Sequence, residues 1–100
     1  LLDALSPAAR TARVTVDSML AQVYFASGAL GPHLDRDLSW GVGLSLGAPA
    51  VMGCWDGKGD LRPLEVTLQS GDLVIGDFGS MLHCVDVLTD AEPPAWWKSV

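Results

Sequence analysis

The sequence predicts a mainly β fold, a sandwich or barrel of short strands led by one short helix. Three observations predict it. Apolar residues alternate with small or polar ones in the stretches Trp40–Leu46 and Leu64–Leu68, which is the period of a strand. Turn signals recur roughly every 8–12 residues along the chain. Helical spacing occurs only at the start, where Leu2, Leu5 and Ala9 share one face.

In chain order, Leu1 to Val14 reads as the helix, with Ser6-Pro7 able to restart a turn. Met19 to Phe25 is a β-rich run broken by Ser27-Gly28. Leu30 to Asp35 is short and extended, since Pro32 forces its neighbour out of the helical region. In Trp40 to Leu46, Trp40, Val42, Leu44 and Leu46 face one way and Gly41, Gly43 and Ser45 the other. Gly47 and Pro49 punctuate, and Ala50 to Trp55 follows as a strand. Asp56-Gly57-Lys58-Gly59-Asp60 is a strong turn signal. Leu64 to Leu68 alternates again, Ser70-Gly71-Asp72 makes a tight turn, and Leu73 to Ile75 and His83 to Leu88 are further strands. Asp90 to Pro94 is a loop. Trp40–Leu46, Ala50–Trp55 and Leu73–Ile75 are expected to be buried.

With 49% apolar residues and a mean hydropathy of +0.30, the chain can fill a core and is not disordered by composition. Residues 1–100 read as a single domain. Its ends suggest part of a larger domain, because it opens mid-pattern at Leu1-Leu2 and stops just past the apolar pair Trp96-Trp97. The net charge is −6, and the cations Arg10, Arg13, Arg36, Lys58, Arg62 and Lys98 are scattered. That argues against a phosphate-gripping basic stripe on this piece. No stretch has the length of a membrane span and no signal peptide is visible. Cys54 and Cys84 form no C-x-x-C pair, so a reducing intracellular compartment is expected.

Two histidines make the chemical inventory short. His33 and Asp35 form H-x-D in an extended segment, which points both side chains to one face. If His83, entering another strand, packs beside them, two imidazoles and one carboxylate can hold one side of a metal and leave the other side open. On spacing alone the plainer reading is favoured, a His and an Asp hydrogen-bonded at a strand end, because most short-motif matches are false. The context shifts the balance. Cys84 reads best as a small buried residue, and Trp96-Trp97 as a core strand or docking patch rather than a stacking platform for bases.

The run Tyr24-Phe25-Ala26-Ser27-Gly28-Ala29-Leu30-Gly31-Pro32-His33-Leu34-Asp35-Arg36-Asp37 resembles the Y-x8-H-x-D-[RK]-[DS] pattern of the AlkB family. Leu44-Ser45-Leu46-Gly47-Ala48-Pro49-Ala50 resembles its V-S-L-G-x-P-A strand and turn, and Ser70-Gly71-Asp72-Leu73-Val74-Ile75 its S-G-D-[IV]-[VM]-[IV]. Leu82-His83-Cys84-Val85 is similar to its distal H-[GA]-[VI]. Leu30-Gly31-x-His33 is closest to the AlkB-homologue-1-like branch.

The resemblance implies a double-stranded β-helix, or jelly roll, holding Fe(II) by His33, Asp35 and His83, with 2-oxoglutarate chelating the iron. It implies a dioxygenase that decarboxylates 2-oxoglutarate to succinate and hydroxylates a substrate carbon. On an N-methyl group the product loses formaldehyde, so alkylated DNA or RNA is the implied partner. Tyr24 stands where the family has a tyrosine bonded to the co-substrate; without that context it is equally a core aromatic. Gln22 stands where the family usually has Asn, an amide displaced by one methylene. Asp37 matches an acidic residue that in some members reads a base edge, although a solvated loop carboxylate is the plainer reading. Three departures accompany the match: the span from His33 to Ser45 is short, the stretch from Asp72 to His83 is about two residues short with Met81 where Arg is frequent, and no R-x-N-x5-R strand precedes Val100. A non-catalytic jelly-roll binding module with a vestigial metal site is the competing expectation, as is the same chemistry on a protein or small molecule.

Overall fold

The computed structural model describes residues 15–25, 28–55, 63–88 and 90–99. Among them are six strands: β1 (Ala29–His33), β2 (Gly41–Leu44), β3 (Ala50–Cys54), β4 (Leu64–Leu68), β5 (Leu73–Gly76) and β6 (His83–Val87). They form two sheets, one ordered β1-β6-β3-β4 and one pairing β2 with β5, and every pairing is antiparallel. The described residues include no α-helix, and a 3-10 helix spans Ala95–Ser99. No helix among them is long and apolar enough to cross a membrane. The helix expected over Leu1–Val14 and the turn at Asp56–Asp60 lie outside the described residues.

Residues directly opposed in an antiparallel pair share a face. One row of the larger sheet therefore reads His33, His83, Cys54 and Leu64, and the next Leu30, Val85, Met52 and Val66. Leu30 and His33 are three apart, so simple alternation would put them on opposite faces. A β-bulge between them removes the conflict: two β1 residues, Gly31 and Pro32, oppose the single residue Cys84. Proline has no N–H to give a ladder, and an edge-strand bulge is where that loss costs least.

In the smaller sheet, Val42 opposes Ile75 and Leu44 opposes Leu73, and these four side chains share the outer face. Gly41 and Gly76 turn the other way, onto the Phe78 ring. That ring also approaches His83 of the larger sheet, so it links the two layers. Met52 and Phe78, at 6% and 7% exposure, are the buried apolar side chains among the described residues.

Two turns complete the frame. Gly71 has φ +94°, a conformation glycine adopts without Cβ strain, as the Ser70-Gly71-Asp72 turn requires. Its N–H donates to the Ser45 carbonyl (2.7 Å), and the Gly47 N–H donates to Ser70 Oγ (3.0 Å). The Leu44–Ala50 and Ser70–Ile75 motifs are thus hydrogen-bonded to each other.

Three sequence expectations need correction. Met19 to Phe25 joins neither sheet: an apolar β-rich run becomes a strand only when an edge pairs with it, and here Met19, Leu20, Val23 and Phe25 are exposed. The expected burial of Trp40–Leu46 and Leu73–Ile75 also fails, because Val42, Leu44, Leu73 and Ile75 are 58–68% exposed. The alternation correctly sorted the two faces, but it cannot say which face is covered. Trp96 and Trp97 lie in the 3-10 helix rather than a core strand. The indole of Trp97 lies over Gly47, where a Cβ would come within 3.1 Å of it.

Candidate metal centre

The centre lies where the β1 and β6 ends meet. His33 is the last residue of β1, His83 the first of β6, and they are register partners with ring centroids 4.3 Å apart. Asp35 follows on the turn that leaves β1. Its N–H donates to the Phe78 carbonyl (2.9 Å), and its own carbonyl accepts from Leu38 N–H (2.9 Å). The Asp35 backbone is held through both its N–H and its carbonyl.

One carboxylate oxygen lies 3.4 Å from His33 Nε2 and the other 3.2 Å from His83 Nε2. One ligand atom from each of the three residues falls within 4.8 Å of the others. Two donors each about 2.1 Å from one ion stand about 3.0–3.4 Å apart at right-angled to tetrahedral positions. The spacing to the carboxylate is therefore that of neighbouring ligands. Two imidazole nitrogens and one carboxylate suit a divalent transition ion, and the set does not by itself select among such ions. This group can hold a metal.

The tautomers follow from the second ring nitrogens. His33 Nδ1 is 2.8 Å from the Gly31 carbonyl, and His83 Nδ1 is 2.8 Å from the Met81 carbonyl. A carbonyl only accepts, so each Nδ1 must carry the proton. With Nδ1 so engaged, Nε2 of each ring is the atom turned toward the carboxylate, at 3.4 Å and 3.2 Å. A metal ion or protons on the imidazoles can each satisfy this convergence of two Nε2 atoms and a carboxylate. Backbone carbonyls that fix ring tautomer and direction are the usual outer support of histidine ligands.

His83 is 5% exposed, whereas His33 and Asp35 are partly open. One side of the centre is therefore closed and another is reachable from solvent. The His83 ring stands between His33 and the Phe78 ring, whose centroid is 4.9 Å away.

The remaining sequence candidates are less closely placed. The Tyr24 hydroxyl donates to Gln22 Oε1 (3.0 Å), so these two engage each other rather than a ligand residue. Partial burial, and after it the Asp35 carboxylate, pushes the Tyr24 phenol above its ordinary range. A groove of about 460 Å³ runs beside Gln22 and Tyr24, bounded by Gly28 and Leu30. Asp37 is exposed on the turn after Asp35, without a hydrogen bond to another described residue. Cys84 packs its sulfur against Gly53, on the sheet face away from His83, and Cys54 sits opposite His83 on the same face. Both thiols are free.

Sequence reasoning missed Phe78 and the bulge. Phe78 looks like any core aromatic, and the glycines that make its seat are spread over two strands. The bulge had a signal, a Gly-Pro pair inside an extended run ending at His33. In comparisons with protein-family models, with curated proteins and with solved structures, nothing matches the chain.

Proposed function

We propose that this chain is the metal-binding core of an Fe(II)- and 2-oxoglutarate-dependent dioxygenase resembling the AlkB type, built on a double-stranded β-helix. Alkylated nucleic acid bases are the substrate class that the motif resemblance implies. The observation that carries the reading is the convergence of His33 Nε2, His83 Nε2 and the Asp35 carboxylate, with both Nδ1 atoms already bonded to backbone carbonyls. The two antiparallel sheets, and the hydrogen bonds between two of the four family-like motifs, are consistent with it.

In this reading His33, Asp35 and His83 would hold the ion, which would supply a redox-active Lewis acid. The chain's own part is to hold three donors on one side. His83, buried, keeps water from the closed side, and the more exposed His33 and Asp35 border the approach. Tyr24 and Gln22, already bonded to each other, offer a hydroxyl and an amide to a co-substrate carboxylate in the neighbouring groove.

One observation favours the alternative, a jelly-roll binding module with a vestigial site. Among the described residues the cations are Arg36, which is exposed, and Lys98, which is paired with Glu92. A dicarboxylate is best held by an arginine at its far end, and a single neutral hydrogen bond adds only about 0.5–1.5 kcal/mol. The test is succinate release from 2-oxoglutarate with Fe(II), ascorbate and methylated oligonucleotides, against His33→Ala and Asp35→Ala variants. Release by the wild type well above both variants supports the dioxygenase. Equal release by all three favours the binding module.

A further inference from the structure

We infer that Phe78 is a positioning residue for the metal centre, holding two of the three ligands from two different parts of itself. The inference rests on the reading that His33, Asp35 and His83 take up a metal.

The first hold is the ring. Its centroid is 4.9 Å from that of His83, at 51°, and the His33 ring stands 4.3 Å from the same imidazole. His83 is thus flanked by two rings while Met81 fixes its Nδ1. The second hold is the backbone, where the Phe78 carbonyl accepts the Asp35 N–H at 2.9 Å. The carbonyl belongs to position 78 whatever its side chain, so the backbone contact places the ring beside the Asp35 turn, and the ring is what a substitution removes. Here one turn sets both the imidazole of one ligand and the main chain of another, and those ligands are 48 residues apart (83 − 35).

Phe78 is itself held by absent side chains. A Cβ on Gly41 would lie 2.7 Å from the ring, and one on Gly76 3.1 Å. Beside it, a Cβ on Gly79 would run into the Leu38 carbonyl oxygen and lie 3.3 Å from that of Asp35. The smaller sheet contributes no ligand, yet its glycines decide where the ring sits and so where His83 points. Groups that orient metal ligands this way are typically worth about 10–100-fold in metal affinity.

The experiment is a titration of the protein with Co(II) alone, read by visible absorption, on the wild type and the Gly41→Ala, Phe78→Ala and Phe78→Leu variants. Nitrogen-15 spectra of the metal-free proteins report the tautomer of each histidine. Gly41→Ala displaces the ring and leaves the Phe78 backbone in place. It is expected to weaken Co(II) binding on the order of tenfold, to alter the Co(II) spectrum, and to mix the tautomers of His83. Phe78→Ala should do the same or more, and Phe78→Leu, which restores bulk, should recover much of the affinity. If both disruptive variants melt earlier but bind Co(II) with unchanged affinity, spectrum and His83 tautomer, Phe78 is a core residue only and the inference is overturned. A wild type that takes up no Co(II) overturns the metal reading itself, and the inference with it.

Discussion

On the four-stranded sheet, the row nearest the centre reads His33, His83 and Cys54, whereas on the two-stranded sheet the row meeting Phe78 is Gly41 and Gly76. The first sheet supplies donor atoms and the second supplies room. Their outer surfaces differ as well: the small sheet carries Val42, Leu44, Leu73 and Ile75 to solvent, while its inner side is largely bare backbone. The difference teaches that a site can depend as strongly on where side chains are missing as on where they are placed. Removing a donor should abolish binding, whereas filling a glycine should loosen it without touching a ligand.

The largest expected effect comes from the donor side. His83→Ala, Asp35→Ala or His33→Ala each breaks the three-point convergence, and the loss of Co(II) affinity should exceed the roughly 10–100-fold typical of outer-shell groups. Isothermal titration against the wild type checks this. Any single variant that keeps wild-type affinity removes that residue from the ligand set.

A second effect should come from the room side. Gly79→Ala drives a methyl toward the Leu38 carbonyl, and the turn carrying Asp35 must shift. Overpacking of this kind costs about 1–3 kcal/mol, measurable by urea unfolding. The same substitution at Gly43, which meets nothing within 4 Å among the described residues, should cost far less. Equal losses at the two positions would dissolve the contrast between a filled and an open glycine.

Metal removal gives a third comparison. An ion that binds only the folded chain stabilises it by about 2.7 kcal/mol at a hundredfold excess over Kd. Thermal melts with and without Co(II) should differ for the wild type and coincide for Asp35→Ala. The smallest expected effect is chemical. Burial, and then the neighbouring Cys84, pushes the Cys54 thiol above its ordinary range, leaving less thiolate at mild alkaline pH. Iodoacetamide should therefore label Cys54 more slowly than free cysteine, as followed by mass spectrometry of the peptides.

Much of the strand layout was legible because alternation records which side chains share a face. β4 is found over the residues that its alternation indicated, and β2, β3, β5 and β6 within a residue or two. The convergence of His33 and Asp35 with His83 was readable as a condition, since H-x-D fixes two donors and leaves the third to packing. What escaped were facts of tertiary context. Met19 to Phe25 has strand-forming residues but no pairing edge, and the apolar face of β2 and β5 has no cover among the described residues. The role of Phe78 depends on gaps contributed by residues 37 and 2 positions before it in the chain (78 − 41 and 78 − 76), a relation that no local pattern records.

The apolar face of the small sheet, uncovered among the described residues, also bears on how the molecule should behave in bulk solution. At neutral pH a charge of −6 on 100 residues makes copies repel one another. Near the pI of about 4.4 that repulsion vanishes, and strong salt screens it at any pH. Mild acid or concentrated sulfate should therefore drive copies together through Val42, Leu44, Leu73 and Ile75, making the protein a colloid whose solubility is set by its charge rather than by its coat.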